Sequence, residues 1–166
     1  MAREEILKRA YELGYKYQRD NRNCAQSTVA AVQDALNMRD DNAFRAASGL
    51  AGGSAFMGVG NCGAYSGGVM IISSRHGRER KDFSDITKYR RSLEVAKKLY
   101  EKFKQEYDSC ICHDIQRKVF GRSFNLWDSH DLEEFTKAGG FSEKCPIVVG
   151  KAAAWVAEII LDTEEK

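Results

Sequence analysis

Through most of this chain the apolar positions recur with helical rather than alternating spacing, and only one proline, Pro146, interrupts it. Ile6, Leu7, Ala10, Tyr11, Leu13 and Tyr17 make a first stripe that the polar "RDNRN" ends, which predicts a helix over 3–18. A second helix is expected over 24–37 through Val29, Val32 and Leu36, closed by Asn37 and "RDDN". A short third segment, 43–50, leads into a glycine-rich stretch. The "VMIISS" that follows Gly67 and Gly68 suits a buried strand or a buried helix. Helix is favoured, because no partner strand is visible to complete a ladder.

From 84 to 107 the positions Ile86, Tyr89, Leu93, Ala96, Leu99, Tyr100 and Phe103 keep helical spacing among many charges, as in a long helix with one wet face. A short helix over 112–119 should stop near Gly121. The segment "GRSFNLWDSHDLEEFTKAGGFSE" reads as an irregular connection with one or two turns of helix. A last helix starts in "KCPIVVGKAAAWVAEII", with Pro146 at the first helical position and Cys145 at the cap. The expected architecture is all-α, a compact bundle of six to eight helices with a glycine-rich crossing, forming a single domain over 1–166.

A formal net charge of +2, from 26 Lys and Arg against 24 Asp and Glu, points to no nucleic-acid or anionic-membrane partner. The longest apolar-rich stretch, 152–161, contains Glu158 and is too short to span a bilayer, and the charged N-terminal stretch has no signal-peptide pattern, so a cytoplasmic location is expected. No Ser-His-Asp set, paired carboxylates or P-loop stands out, and no catalytic residue is assigned. The run Arg75, His76, Arg78, Arg80 and Lys81 reads as a solvated turn. Trp127 and Trp155 are expected in the core or at a subunit interface.

Five cysteines, Cys24, Cys62, Cys110, Cys112 and Cys145, do not suit a disulfide framework, being odd in number in a compartment expected to be reducing. "GVGNCG", residues 58–63, matches the dinucleotide fingerprint G-x-G-x-x-G, but "GLAGGSAFM" before it is a poor strand and no second strand follows. The same glycines, 58, 60 and 63, suit a backbone that turns closely around Cys62 and points amides at sulfur. Cys24, Cys62, Cys112 and Cys145 each fall close to an expected helix start, where the partial positive charge favours a thiolate. Four thiolates so placed suit an anionic metallocluster assembled from distant parts of the chain.

Structural zinc sites usually show short paired spacings, and only Cys110-Ile111-Cys112 is short here. "CICH" is one residue short of the c-type haem motif, and His113 is expected on a helix surface.

The cysteine contexts "NCAQS", "CGAYSGG" (a C-G-A-x-x-G motif), "CHDI" and "KCPIVVGKAA" together resemble a redox-active family named for its C, GCAxxG, C, C cysteine pattern, from Cys24 to the last helix. That family is similar to the iron–sulfur portion of split-Soret cytochromes, whose haem motifs this chain lacks. The resemblance implies a helical redox protein, with a homodimer among the expected states. It also implies an iron–sulfur cluster, [2Fe–2S] or [4Fe–4S], on Cys24, Cys62, Cys112 and Cys145, leaving Cys110 as the extra cysteine. It names neither the electron-transfer partner nor a substrate.

Three functions therefore compete. The first is an iron–sulfur protein that passes electrons or senses redox state, its potential tuned by backbone hydrogen bonds from 60–68. The second is a metal-free thiol–disulfide protein, with Cys112 or Cys110 attacking and another cysteine resolving. The third is an interaction module whose cysteines are inert.

Overall fold

A computed structural model describes residues 2–164. Eight α-helices run in the order α1 (Arg3–Asn21), α2 (Cys24–Leu36), α3 (Asp41–Ala46), α4 (Gly63–His76), α5 (Arg90–Tyr107), α6 (Cys112–Phe120), α7 (Ser129–Lys137) and α8 (Cys145–Glu164). Among the described residues the sole extended pairing is an isolated antiparallel bridge between Asn61 and Ile111. The expected all-α class and helix number are thus observed. Among the described residues no helix is long and apolar enough to cross a membrane.

The bundle is built around α8, which packs against α1, α2, α4 and α5. Its buried residues Val148, Val149, Ala152, Ala153, Val156, Ala157, Ile159 and Ile160 form one broad face, while Lys151 and Glu158 on the far side pair with Glu106 and Lys102. A buried face this wide suits the central helix of a bundle. By contrast α5 buries a single stripe, Val95, Leu99, Phe103 and Tyr107, spaced by four residues, and leaves its charges in water. Phe103 sits among Tyr65, Tyr107 and Trp155, with ring centroids 5.4 to 5.7 Å away. A satellite cluster of Phe124, Leu126 and Phe135, flanked by Phe56, Phe120, Phe141 and Cys145, closes one end of the bundle.

Several boundaries differ from the expected ones. α5 starts at Arg90 rather than at 84, leaving Ile86 and Tyr89 exposed. Asp85 accepts from both the N–H and the hydroxyl of Thr87, a local turn that competes with helix there. α7 forms a regular nine-residue helix, capped by Asp128, within the connection read as mostly irregular. Cys145 is the first residue of α8 rather than its cap, and a π-helical turn, Gly140–Lys144, runs directly into it. Pro146 supplies the reason: its ring would crowd the carbonyl four residues back, and a widened turn relieves this. Trp155 packs against the core as expected, whereas Trp127 is 70% exposed, its Nε1 donating to Ala55 O at 2.8 Å. Arg75 and His76 belong to the last turn of α4, and Arg78 lies over the rings of Phe83 and Tyr89.

Candidate functional site

Three cysteines stand at helix starts for local reasons. Asn23 caps α2 by accepting from the Gln26 N–H, which fixes Cys24 as the first helical residue. Cys62 is the cap residue of α4, and its N–H donates to Cys110 O at 2.7 Å. Cys112 opens α6 and donates its N–H to Gly60 O at 3.0 Å. The strands of chain before α4 and α6 are therefore laced together, so residues fifty apart in sequence are delivered to one place. Cys145 arrives from α8, through the π turn.

All four line one cavity of about 40 Å³, together with Gln18, Gly52, Phe56, Ile115, Gln116, Val119, Phe120, Leu126, Phe135, Phe141, Val148 and Val149, with Arg22 at its rim. Cys110 is not among the lining residues; its thiol donates to Asn61 Oδ1 at 3.3 Å. The five cysteines are free thiols.

The C-G-A-x-x-G motif has a packing explanation. Gly63 and Gly67 lie one turn apart on α4 and face the first turn of α2. A Cβ at Gly63 would fall 2.4 Å from Cys24 Sγ, and one at Gly67 would fall 2.5 Å from Ala25 O. Only hydrogen at these positions lets the two helix starts close enough for their cysteines to meet. The Cys24 and Cys62 thiols are close enough to shift each other's proton affinity.

Between them runs a segment that sequence pattern did not reveal. Gly52, Gly53, Ser54, Ala55 and Phe56 have successive φ values of 59, 77, 65, 49 and 58°, an unbroken run in the left-handed region, followed by Gly58 at 75°. Left-handed backbone costs a non-glycine residue roughly 1–2 kcal/mol. The contacts it makes offset that cost: Gly52 N–H donates to Cys24 Sγ at 3.4 Å, Phe56 lines the cavity, and Gly53 packs on the Cys112 Cβ. His113, expected on a helix surface, is half-buried instead, its N–H on Gly58 O at 2.9 Å and its ring facing Phe124 O at 3.2 Å. The turning backbone is thus at 52–58, not at glycines 60 and 63. The Gly52 N–H is directed at Cys24 Sγ, and the Gly63 and Ala64 amides lie close enough to favour the Cys24 and Cys62 thiolates.

These contacts divide the thiols. Cys24 is lowered to about 7, first by the hydrogen bond from Cys62 and then by the Gly52 and Gly63 amides, which together overcome burial. Cys62 is pushed up, because it donates to Cys24 and lies in the same buried, negatively charged neighbourhood. Burial pushes Cys112 up to about 12, with the Cys24 charge adding to it, and burial likewise raises Cys145. In a site without cations, one thiolate raises the cost of the next. Compensating positive charge from a bound metal group would reverse this.

What can such a cavity hold? Pockets for organic cofactors span about 300–1,000 Å³, several-fold larger than the cavity of about 40 Å³ here. Among the described residues, no three His, Cys, Asp or Glu side chains are grouped so as to hold a metal ion. Four thiols lining a small apolar space are a donor set compatible with a metal cofactor.

Two cavity residues were missed from sequence. Gln18 on α1 and Gln116 on α6 are 3% and 4% exposed, and each occupies a helix position that composition alone would assign to a wet face. Gln116 Nε2 points to Cys112 Sγ at 3.7 Å.

Comparison with curated proteins and with solved structures gives no match. A family does match, over residues 22–159, a span that starts just before Cys24 and ends within α8, enclosing the whole cysteine cavity: the chain belongs to the family "Putative redox-active protein (C_GCAxxG_C_C)".

Proposed function

We propose that this protein binds an iron–sulfur cluster through Cys24, Cys62, Cys112 and Cys145 and serves in electron transfer or redox sensing. The observation that carries the proposal is the convergence of four thiols, from four separate helices, on one cavity of about 40 Å³ that is too small for an organic redox cofactor. When bound, such a cluster would supply reversible one-electron chemistry at a potential set by its environment. The chain's own contributions are then separable. Cys24 offers the first thiolate, Gly52 and Gly63 donate to it, and the satellite aromatics Phe120, Phe135 and Phe141 keep bulk water from the cavity.

A second reading draws on a specific contact. Cys24 and Cys62 adjoin in the cavity, and Cys24 is the most acidic thiol of the site, so a metal-free thiol–disulfide couple would use this pair. Cys110 and Cys112 are less suited to it: the first faces Asn61 and the second is buried with a raised pKa.

Anaerobic purification, followed by an absorption spectrum and assays of iron and acid-labile sulfide, separates the two. The cluster reading expects visible absorption with iron and sulfide in comparable amounts, lost or altered when Cys24, Cys62, Cys112 or Cys145 is replaced by Ser and retained in Cys110→Ser. A colourless protein without iron after anaerobic reconstitution refutes it. A Cys24–Cys62 disulfide found by mass spectrometry of that colourless protein would establish the second reading.

A further inference from the structure

Gln18 and Gln116 are buried amides in an otherwise apolar cavity wall, and neither is needed to fill space that a Leu or Met would fill without burying polar atoms. Burying an amide without its hydrogen bonds costs about 1–3 kcal/mol, so what each group faces is informative.

Gln116 is oriented from behind. Its Oε1 accepts the Phe124 N–H at 2.8 Å, which leaves Nε2 to project toward the cavity, where Cys112 Sγ lies at 3.7 Å. The acceptor end is thereby fixed and the donor end is presented to sulfur. Gln18 comes from the opposite wall, on α1, and its Oε1 is buried without a hydrogen-bond partner among the described residues. A half-turn about the last side-chain bond exchanges the oxygen and the NH₂ in nearly the same volume. The side chain can therefore present either end to whatever occupies the cavity. An anionic occupant selects the NH₂.

We propose that Gln116 and Gln18 are positioning residues that donate side-chain hydrogen bonds to the anionic sulfur of the group held by the four cysteines, and that they thereby raise its reduction potential. The inference rests on the cluster reading above. Reduction adds one electron and one unit of negative charge to the group. Donors aimed at sulfur stabilise the reduced form more than the oxidised form, so removing one shifts the equilibrium toward the oxidised form.

The test compares wild-type protein with Gln116→Leu, Gln116→Glu and Gln18→Leu, each reconstituted anaerobically with iron and sulfide. Each is assayed for both and titrated with dithionite as electron donor while absorption and electron paramagnetic resonance are followed. Gln116→Glu keeps an acceptor for the Phe124 N–H but replaces the donor by a carboxylate, so it reports on the donor even where Gln116→Leu fails to fold.

At iron content equal to wild type, each Leu variant is expected to move the one-electron equilibrium about tenfold toward the oxidised form, one hydrogen bond to a charged group being involved. That tenfold change is about 59 mV downward for a one-electron couple. Gln116→Glu is expected to move it further the same way. Wild-type potentials in variants that hold a full cluster overturn this inference and leave the cluster reading intact. A wild-type protein that takes up no iron and sulfide overturns both.

Discussion

Replacing Gly67 by Ala tests whether the glycine motif exists to bring two helix starts together. The added Cβ would lie 2.5 Å from Ala25 O, 3.2 Å from Ala25 C and 3.2 Å from Ala25 Cα, all backbone atoms that cannot rotate away. The α2–α4 crossing must open. Overpacking of this kind costs about 1–3 kcal/mol, while Ala in place of Gly inside a helix returns about 0.5–1 kcal/mol. The net expectation is destabilisation of about 1 kcal/mol and at most about 2.5 kcal/mol. For a chain of this length each kcal/mol is a fall in Tm of about 2–4 °C.

Urea and thermal denaturation followed by circular dichroism read this directly, with Gly49→Ala as the control. A Cβ at Gly49 meets nothing within 4 Å, so that variant should stay within about 0.5 kcal/mol of wild type. Because Ala25 adjoins Cys24, Gly67→Ala should also lower iron uptake under the cluster reading. A Gly67→Ala protein as stable as wild type, or more so, would refute the close-approach account of the motif.

Two further expectations probe the left-handed turn and the exposed tryptophan. Ala55 has φ 49°. Ala55→Gly should relieve about 1–2 kcal/mol of backbone strain against about 0.4–1 kcal/mol of added unfolded-chain entropy. A small rise in Tm by scanning calorimetry is expected, and a fall would count against a strained turn. Since Trp127 is 70% exposed and Trp155 packs on Phe103, Trp127→Phe should leave blue-shifted fluorescence that acrylamide quenches poorly. Unchanged quenching would contradict that placement.

Helical class was legible because it depends on local periodicity. The spacing of Leu99 and Phe103 marked α5 as helical, whereas Val95 and Tyr107, which complete its buried stripe, were not read from the sequence, and Leu93 and Tyr100, which were, are exposed. Cysteine order and context also pointed to the family before any geometry was known. Helix boundaries were less legible where a side chain supplied an alternative partner, as Asp85 does for Thr87, or where Pro146 forced a π turn upstream of α8.

By itself, then, the sequence determined the secondary structure and the inventory of thiols, both of which are properties of neighbouring residues. Only the tertiary structure decided which thiols share a cavity, because that depends on distant backbone contacts such as Cys62 N–H to Cys110 O and Cys112 N–H to Gly60 O. It likewise decided that Gln18 and Gln116 line the cysteine cavity rather than face water. A left-handed turn carrying Ser54, Ala55 and Phe56 lay beyond sequence pattern for the same physical reason: its local energy is unfavourable, and it persists through contacts with residues far away in the chain.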